Sequence, residues 1–167
     1  MNAPHRSATV IVVGSVLVSG LFAIPTAGAR ASISHHAHAK VAGAHAPTSG
    51  GLADEVLGLV NRSRASHGLR TFRPSTPLMR EALRHSRRMA TRKHLFHTPN
   101  LGALVAQYGG TIWGENLARG VNLKAIRDKW LQDPGSRVHL LDPRFRWAAV
   151  GVVKRGIFYW VTLQLYD

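Results

Sequence analysis

From Leu52 onward, apolar residues recur at helical intervals. Val56, Leu59, Val60 and the small Ser63 share one stripe, which stops near His67-Gly68, where a glycine suits the left-handed close of a helix. Ser75-Thr76-Pro77 marks a second start: a capping hydroxyl, then a proline whose missing N–H would have had no partner in a first turn. That helix is expected to run to about Lys93, with Leu78, Ala82, Ser86, Met89 and Ala90 inward and Arg80, Arg84, Arg87, Arg88 and Arg92 mostly outward. Between Leu95 and Gly120 the glycines at 102, 109, 110, 114 and 120 break the pattern, and the stretch reads as loops, where sites tend to be built. Asn122 caps a third expected helix to Gln132, with Leu123, Ile126 and Trp130 as its stripe and Pro134-Gly135 as its end.

After Trp147 the period changes from helical to alternating. Two strands are expected around Lys154-Arg155-Gly156, with Ile157, Tyr159, Val161, Leu163 and Leu165 on one face of the second and Phe158, Trp160, Thr162 and Gln164 on the other. Helices first and a hairpin last make the fold class α+β, with layers.

The segment before the first helix has a different composition. Residues 1–29 carry a short cationic start (His5, Arg6), an apolar run from Ala8 to Ile24 and the small-residue site Ala27-Gly28-Ala29, the layout of a secretory signal peptide. An uncleaved signal would instead anchor the chain, although the run is short for a spanning helix and Pro25 breaks it. Residues 30–50 are Ala, His, Ser, Gly and Pro in low-complexity order, which suits a flexible linker ahead of one domain over 51–167. His35, His36, His38 and His45 in that linker offer loose ligands for Zn²⁺ or Cu²⁺ without fixed geometry.

With no cysteine, an exported version of this chain holds by packing alone. There are 22 Lys and Arg against 8 Asp and Glu, a formal +14 that becomes +13 if Arg6 leaves with the signal. Such a surplus favours polyanions through attraction that salt screens. For an exported protein the nearer polyanions are wall polymers and membrane surfaces. Export argues against nucleic acid, as does the lack of a helix-turn-helix, finger or aromatic-basic strand signature.

The stretch best supplied with candidate chemistry begins at His97-Thr-Pro-Asn-Leu101. It continues through Trp113-Gly-Glu-Asn-Leu-Ala118, Trp130-Leu-Gln-Asp-Pro-Gly-Ser136, Leu140-Leu-Asp-Pro-Arg-Phe145 and the closing Tyr159-Trp-Val-Thr-Leu163. The order of these blocks resembles the CAP superfamily of secreted domains, also called SCP-like domains, over nearly all of residues 52–166. The resemblance implies a three-layer α-β-α sandwich and, because the chain has no cysteine, a bacterial, extracellular type. It also implies a cleft with two histidines and acidic partners.

His97 and Glu115 match the first histidine and the glutamate of that cleft, and Asp133 stands where some members place a second acid. The second histidine is missing: bacterial members typically read Ser-Pro-Gly-His-Arg-x-Asn-Leu-Leu, whereas this chain reads Asp133-Pro-Gly-Ser-Arg-Val-His-Leu-Leu141. Neutral Ser136 is a poor zinc ligand beside imidazole. If residues 135–141 form a helical turn, His139 shares a face with position 136 and would restore a metal set of His97, Glu115 and His139. Ser136 with His97 and Glu115 also has the residue types of a nucleophile, base and orienter, but no Gly-x-Ser-x-Gly elbow supports it.

The expected function is an extracellular or wall-associated binding module for an anionic cell-wall polymer, a lipid or another protein, with a degenerate His97/Glu115 cleft. The alternative is a hydrolase using the same cleft with zinc or another divalent cation. Membrane contact is expected only through an uncleaved signal or through surface charge.

Overall fold

The structure is a computed structural model that describes residues 48–167. The expected signal over 1–29 and the cluster His35, His36, His38 and His45 lie outside the described residues.

Helix α1 (Ser49–Ser66) starts two residues earlier than the composition indicated, because the Thr48 hydroxyl accepts the Gly51 N–H at 3.2 Å. It ends at His67-Gly68, where Gly68 has φ +69° and the Leu69 N–H returns to the Arg64 carbonyl. Strand β1 (Arg73–Pro74) and helix α2 (Thr76–Arg92) follow, then the short α3 (Leu101–Ala106) and strand β2 (Trp113–Gly120). Next come α4 (Leu123–Gln132), α5 (Pro134–Leu141) and the hairpin of β3 (Trp147–Arg155) and β4 (Phe158–Tyr166).

The sheet order is β1-β3-β4-β2, with β1 parallel to β3 and the other pairs antiparallel. Helices cover both faces, giving the expected three-layer α-β-α sandwich. Alternation along the hairpin sorts the layers. Val150, Val152, Val161, Leu163 and Leu165 face α1, α4 and α5 with Val56, Val60, Ile126, Trp130 and Leu140. Ala149 faces α2 and α3 with Leu78, Ala82, Leu101 and Val105. Trp160 joins Met89 and Leu117 nearby on the α2 side.

Helix α2 lies close to the sheet because Gly151 offers no side chain. A Cβ there would stand 2.1 Å from the Ala82 carbonyl oxygen. Ser86 Oγ bridges the same contact, donating to the Gly151 carbonyl at 2.9 Å and lying 2.9 Å from Thr162 Oγ1. The five residues expected inward on α2 are all buried, and His85 joins them.

Two expectations need correction. The loop-rich stretch before Gly120 contains α3 and the eight-residue β2, whose sequence Trp-Gly-Glu-Asn-Leu-Ala-Arg-Gly has little strand propensity but pairs with β4 along its whole length. Pro134-Gly135 does not merely end α4. Pro134 opens α5, since its fixed φ and absent N–H suit a first helical position.

Candidate functional site

Glu115 sits on β2, directly across from Gln164 on β4, and its side chain is fully buried on the α2 face. The chain leaving α2 turns at Lys93 (φ 52°) and brings His97 and Thr98 over this carboxylate. Oε2 accepts from His97 Nδ1 at 2.6 Å and from the Thr98 N–H at 2.9 Å. Oε1 accepts from Thr98 Oγ1 at 2.6 Å and from Gln164 Nε2 at 3.1 Å. Both oxygens therefore carry two hydrogen bonds each. Burial alone would raise the Glu115 pKa, but the bonds from His97, Thr98 and Gln164 outweigh it and hold the carboxyl below its ordinary value.

An ionised Glu115 accepts from His97 Nδ1–H, which fixes the orientation of the ring and turns Nε2 away from the carboxylate. Nε2 is buried and has no hydrogen-bond partner among the described residues.

The loop bearing His97 is braced from below. His85 Nε2 lies 2.6 Å from the Phe96 carbonyl, and Arg88 approaches His85 Nδ1 at 3.2 Å. An arginine only donates, so Nδ1 accepts and Nε2–H donates to Phe96. Burial lowers the His85 pKa, in keeping with a neutral ring. His85 lies three residues after Ala82 and four before Met89, on the inward stripe of α2, and that spacing was its available signal. Gln164 had a similar one, as it alternates in register with Trp160 and Thr162. Nothing in the sequence pointed to Thr98 beyond its place next to His97.

The remaining candidates are held elsewhere. Asp133 caps α5, its Oδ2 accepting the Ser136 N–H at 2.8 Å, which is an N-cap role and not that of a cleft acid. Ser136 is buried, its Oγ has no hydrogen-bond partner among the described residues, and no bond joins it to His97 or Glu115. A nucleophile–base pair is thus not assembled.

His139 does share α5 with Ser136, but it meets the sheet at Asn116 and Gly114. Its Nδ1 lies 2.8 Å from Asn116 Oδ1, and a Cβ on Gly114 would stand 2.8 Å from its ring. Asn116 also donates to the Ser136 carbonyl at 3.1 Å, fastening α5 to β2. Residues 115 and 116 of a strand point to opposite faces, so His139 and Glu115 are separated by the sheet. The expected metal set of His97, Glu115 and His139 is therefore not brought together. Among the described residues no three His, Asp or Glu side chains are grouped to hold a metal ion. Nor do the residues around Glu115 fit one, because every lone-pair direction of its carboxylate already receives a proton donor.

The comparisons with known proteins bear on family and fold. The sequence pattern of CAP, the cysteine-rich secretory protein family, matches residues 57–165. An extracellular protein containing an SCP domain from Bacillus anthracis is 26% identical, with a TM-score of 0.58 over 71% of this chain and 41% of that one. An outer surface protein from Borrelia burgdorferi has a TM-score of 0.62 at 14% identity, covering 68% of this chain and 90% of that one. A cysteine-rich secretory protein from Staphylococcus aureus has a TM-score of 0.59 at 15% identity, covering 80% and 43%. The chain thus spans less than half the length of the first and third of these proteins. No curated protein matches the sequence. With its sequence match over residues 57–165 and its layered sheet, the chain belongs to the cysteine-rich secretory protein (CAP) family.

Proposed function

We propose that this chain is an exported bacterial CAP domain that binds an anionic cell-wall polymer through its cationic surface, and that its His97–Glu115 cleft is structural. The observation that carries this reading is where the acids go. Residues 48–167 hold 19 Lys and Arg against 8 Asp and Glu, and six of the eight acids are engaged within the fold. Glu81 pairs with Arg84 and Arg88, Asp128 with Lys124 and Arg127, and Asp142 with Arg144. Glu115 is buried, Asp133 caps α5, and Asp167 accepts from Thr111 and Ile112. Most of the positive surplus is left facing solvent, where it attracts a polyanion through the summed field of the molecule.

Export rests on the signal-like leader. The relatives named above as extracellular or outer surface proteins are consistent with it, and no helix among the described residues is long and apolar enough to cross a membrane. Against the hydrolase alternative stand the positions of Ser136 and His139, neither of which meets His97 among the described residues.

The test is co-sedimentation of the full chain with isolated bacterial cell walls that carry anionic polymer. Retention at low ionic strength, released as salt rises toward about 1 M, where the Debye length shrinks to about 3 Å, is the expected result. A folded His97→Ala variant should be retained equally. Failure to sediment at low salt, or loss of retention in His97→Ala, overturns the reading.

A further inference from the structure

The surplus charge is not spread evenly. Arg70, Arg73 and Arg146 line one cleft of about 140 Å³ with Thr71, Phe145 and Trp147. None of the three guanidinium groups has an ion pair or hydrogen bond to a described residue, in contrast to Arg84, Arg88 and Arg144, each of which meets a carboxylate. Three like charges around one concavity repel each other unless an anion joins them.

Their backbones are held in place. The Arg73 N–H donates to the Arg146 carbonyl at 2.8 Å, and the Arg146 N–H donates to the Tyr166 carbonyl at 2.9 Å. The Arg70 carbonyl accepts from the buried Arg64 at 2.7 Å. One wall is aromatic: Trp147 stacks on Tyr166 at 6.3 Å and 19°, with the Arg73 guanidinium 5.9 Å from a ring centroid of Trp147. A second concavity, lined by Thr111, Ile112, Arg144 and Asp167, shares Arg146 with the first.

We infer that the Arg70/Arg73/Arg146 cleft binds a phosphodiester of an anionic wall polymer, with the adjoining sugar or polyol lying against Trp147. Planar guanidinium groups match two phosphate oxygens at once, which a point charge does not. The open groove accommodates a chain passing through, where an enclosed pocket would select a free small anion. The cleft lies at the β1 edge of the sheet, opposite the β2 edge that carries Glu115, so it is separate from the His97–Glu115 site. This inference rests on the polymer-binding reading and gives it a location.

Calorimetric titration of the full chain with purified poly(glycerol phosphate) tests it. Three variants accompany the wild type: Arg70, Arg73 and Arg146→Gln; the same three→Lys; and Arg62, Arg80 and Arg87→Gln, which removes equal charge from exposed helix positions without ion pairs. The cleft Gln variant is expected to lose at least about tenfold in affinity, the Lys variant most of that, and the helix variant less than about threefold, because charge alone does not replace the bidentate fork. Circular dichroism confirms that each variant is folded.

Equal losses in the cleft and helix Gln variants would overturn the cleft while leaving polymer binding standing, whereas no binding by the wild type would overturn both. Equal affinity for polyglutamate of the same charge would overturn phosphate recognition. Tighter, cleft-dependent binding to phosphatidylglycerol vesicles would replace the polymer with a lipid surface.

Discussion

Glu115 shows how one buried charge can organise a loop. Moving a carboxylate out of water costs several kcal/mol, and here four donors from three residues offset that cost. Removing the charge leaves those donors facing an amide, so Glu115→Gln should lower stability at pH 7 by about 2 kcal/mol, in the range for hydrogen bonds made to a charged group. The pH dependence follows from the lowered pKa. The folded value lies below the unfolded one, so the contribution is complete above the unfolded pKa of about 4.3 and is lost as pH falls through the folded value. Urea titrations between pH 7 and pH 2 should therefore show a shallower acid loss in Glu115→Gln than in the wild type. Identical acid profiles would mean that Glu115 is not the ionised, multiply bonded group described here. His97 and Glu115 were legible in the sequence because their blocks recur in a known order. Thr98 was not, and for Gln164 only its face of the strand was, since a threonine and a glutamine become carboxylate partners only when two strands and a loop meet.

Among the elements, the helices were the most readable because their signals are local. Asn122 accepts the Ala125 N–H as an N-cap, and Ser75-Thr76-Pro77 opens α2 where expected, although the Ser75 hydroxyl is within 2.8 Å of the Tyr166 hydroxyl and does not cap the helix. Strand β2 was hidden because its partners come from β4, 39 to 53 residues later in the chain. The contact of α2 with β3 gives a sharp test of packing. Gly151→Ala would force its methyl group into the Ala82 peptide and should cost about 3 kcal/mol or more. Gly58→Ala, inside α1 and 3.4 Å from only a flexible Arg62 atom, should instead gain up to about 1 kcal/mol from helix propensity. Thermal denaturation of both variants would reveal the opposite signs, and a neutral Gly151→Ala would show that α2 is not seated against the sheet at that point.

In the whole molecule, the sheet separates residues that the sequence places close together. His139 seemed able to replace the histidine missing at Ser136, yet α5 docks it on the Asn116 side and leaves His97 on the other. Zinc calorimetry on the full chain with His35, His36, His38 and His45→Ser should thus give no one-to-one binding at micromolar zinc, and His97→Ala or His139→Ala should leave the trace unchanged. A stoichiometric isotherm lost in both variants would mean that the two rings meet. Arg64 is the opposite case, a charge that the fold takes inside. It is buried against the Phe72 ring at 3.9 Å and donates to the Leu140 and Asp142 carbonyls, tying α1 to the end of α5.

Sequence was sufficient for the helix stripes, the hairpin alternation, the Asn122 cap, the positive surplus and the CAP resemblance, because each depends on neighbours a few residues apart or on composition. The partners of Glu115, the face that receives His139, the capping role of Asp133 and the convergence of Arg70, Arg73 and Arg146 needed the folded chain. Each of these depends on which strands pair and which face a side chain leaves from, and a shift of one residue along a strand reverses that face.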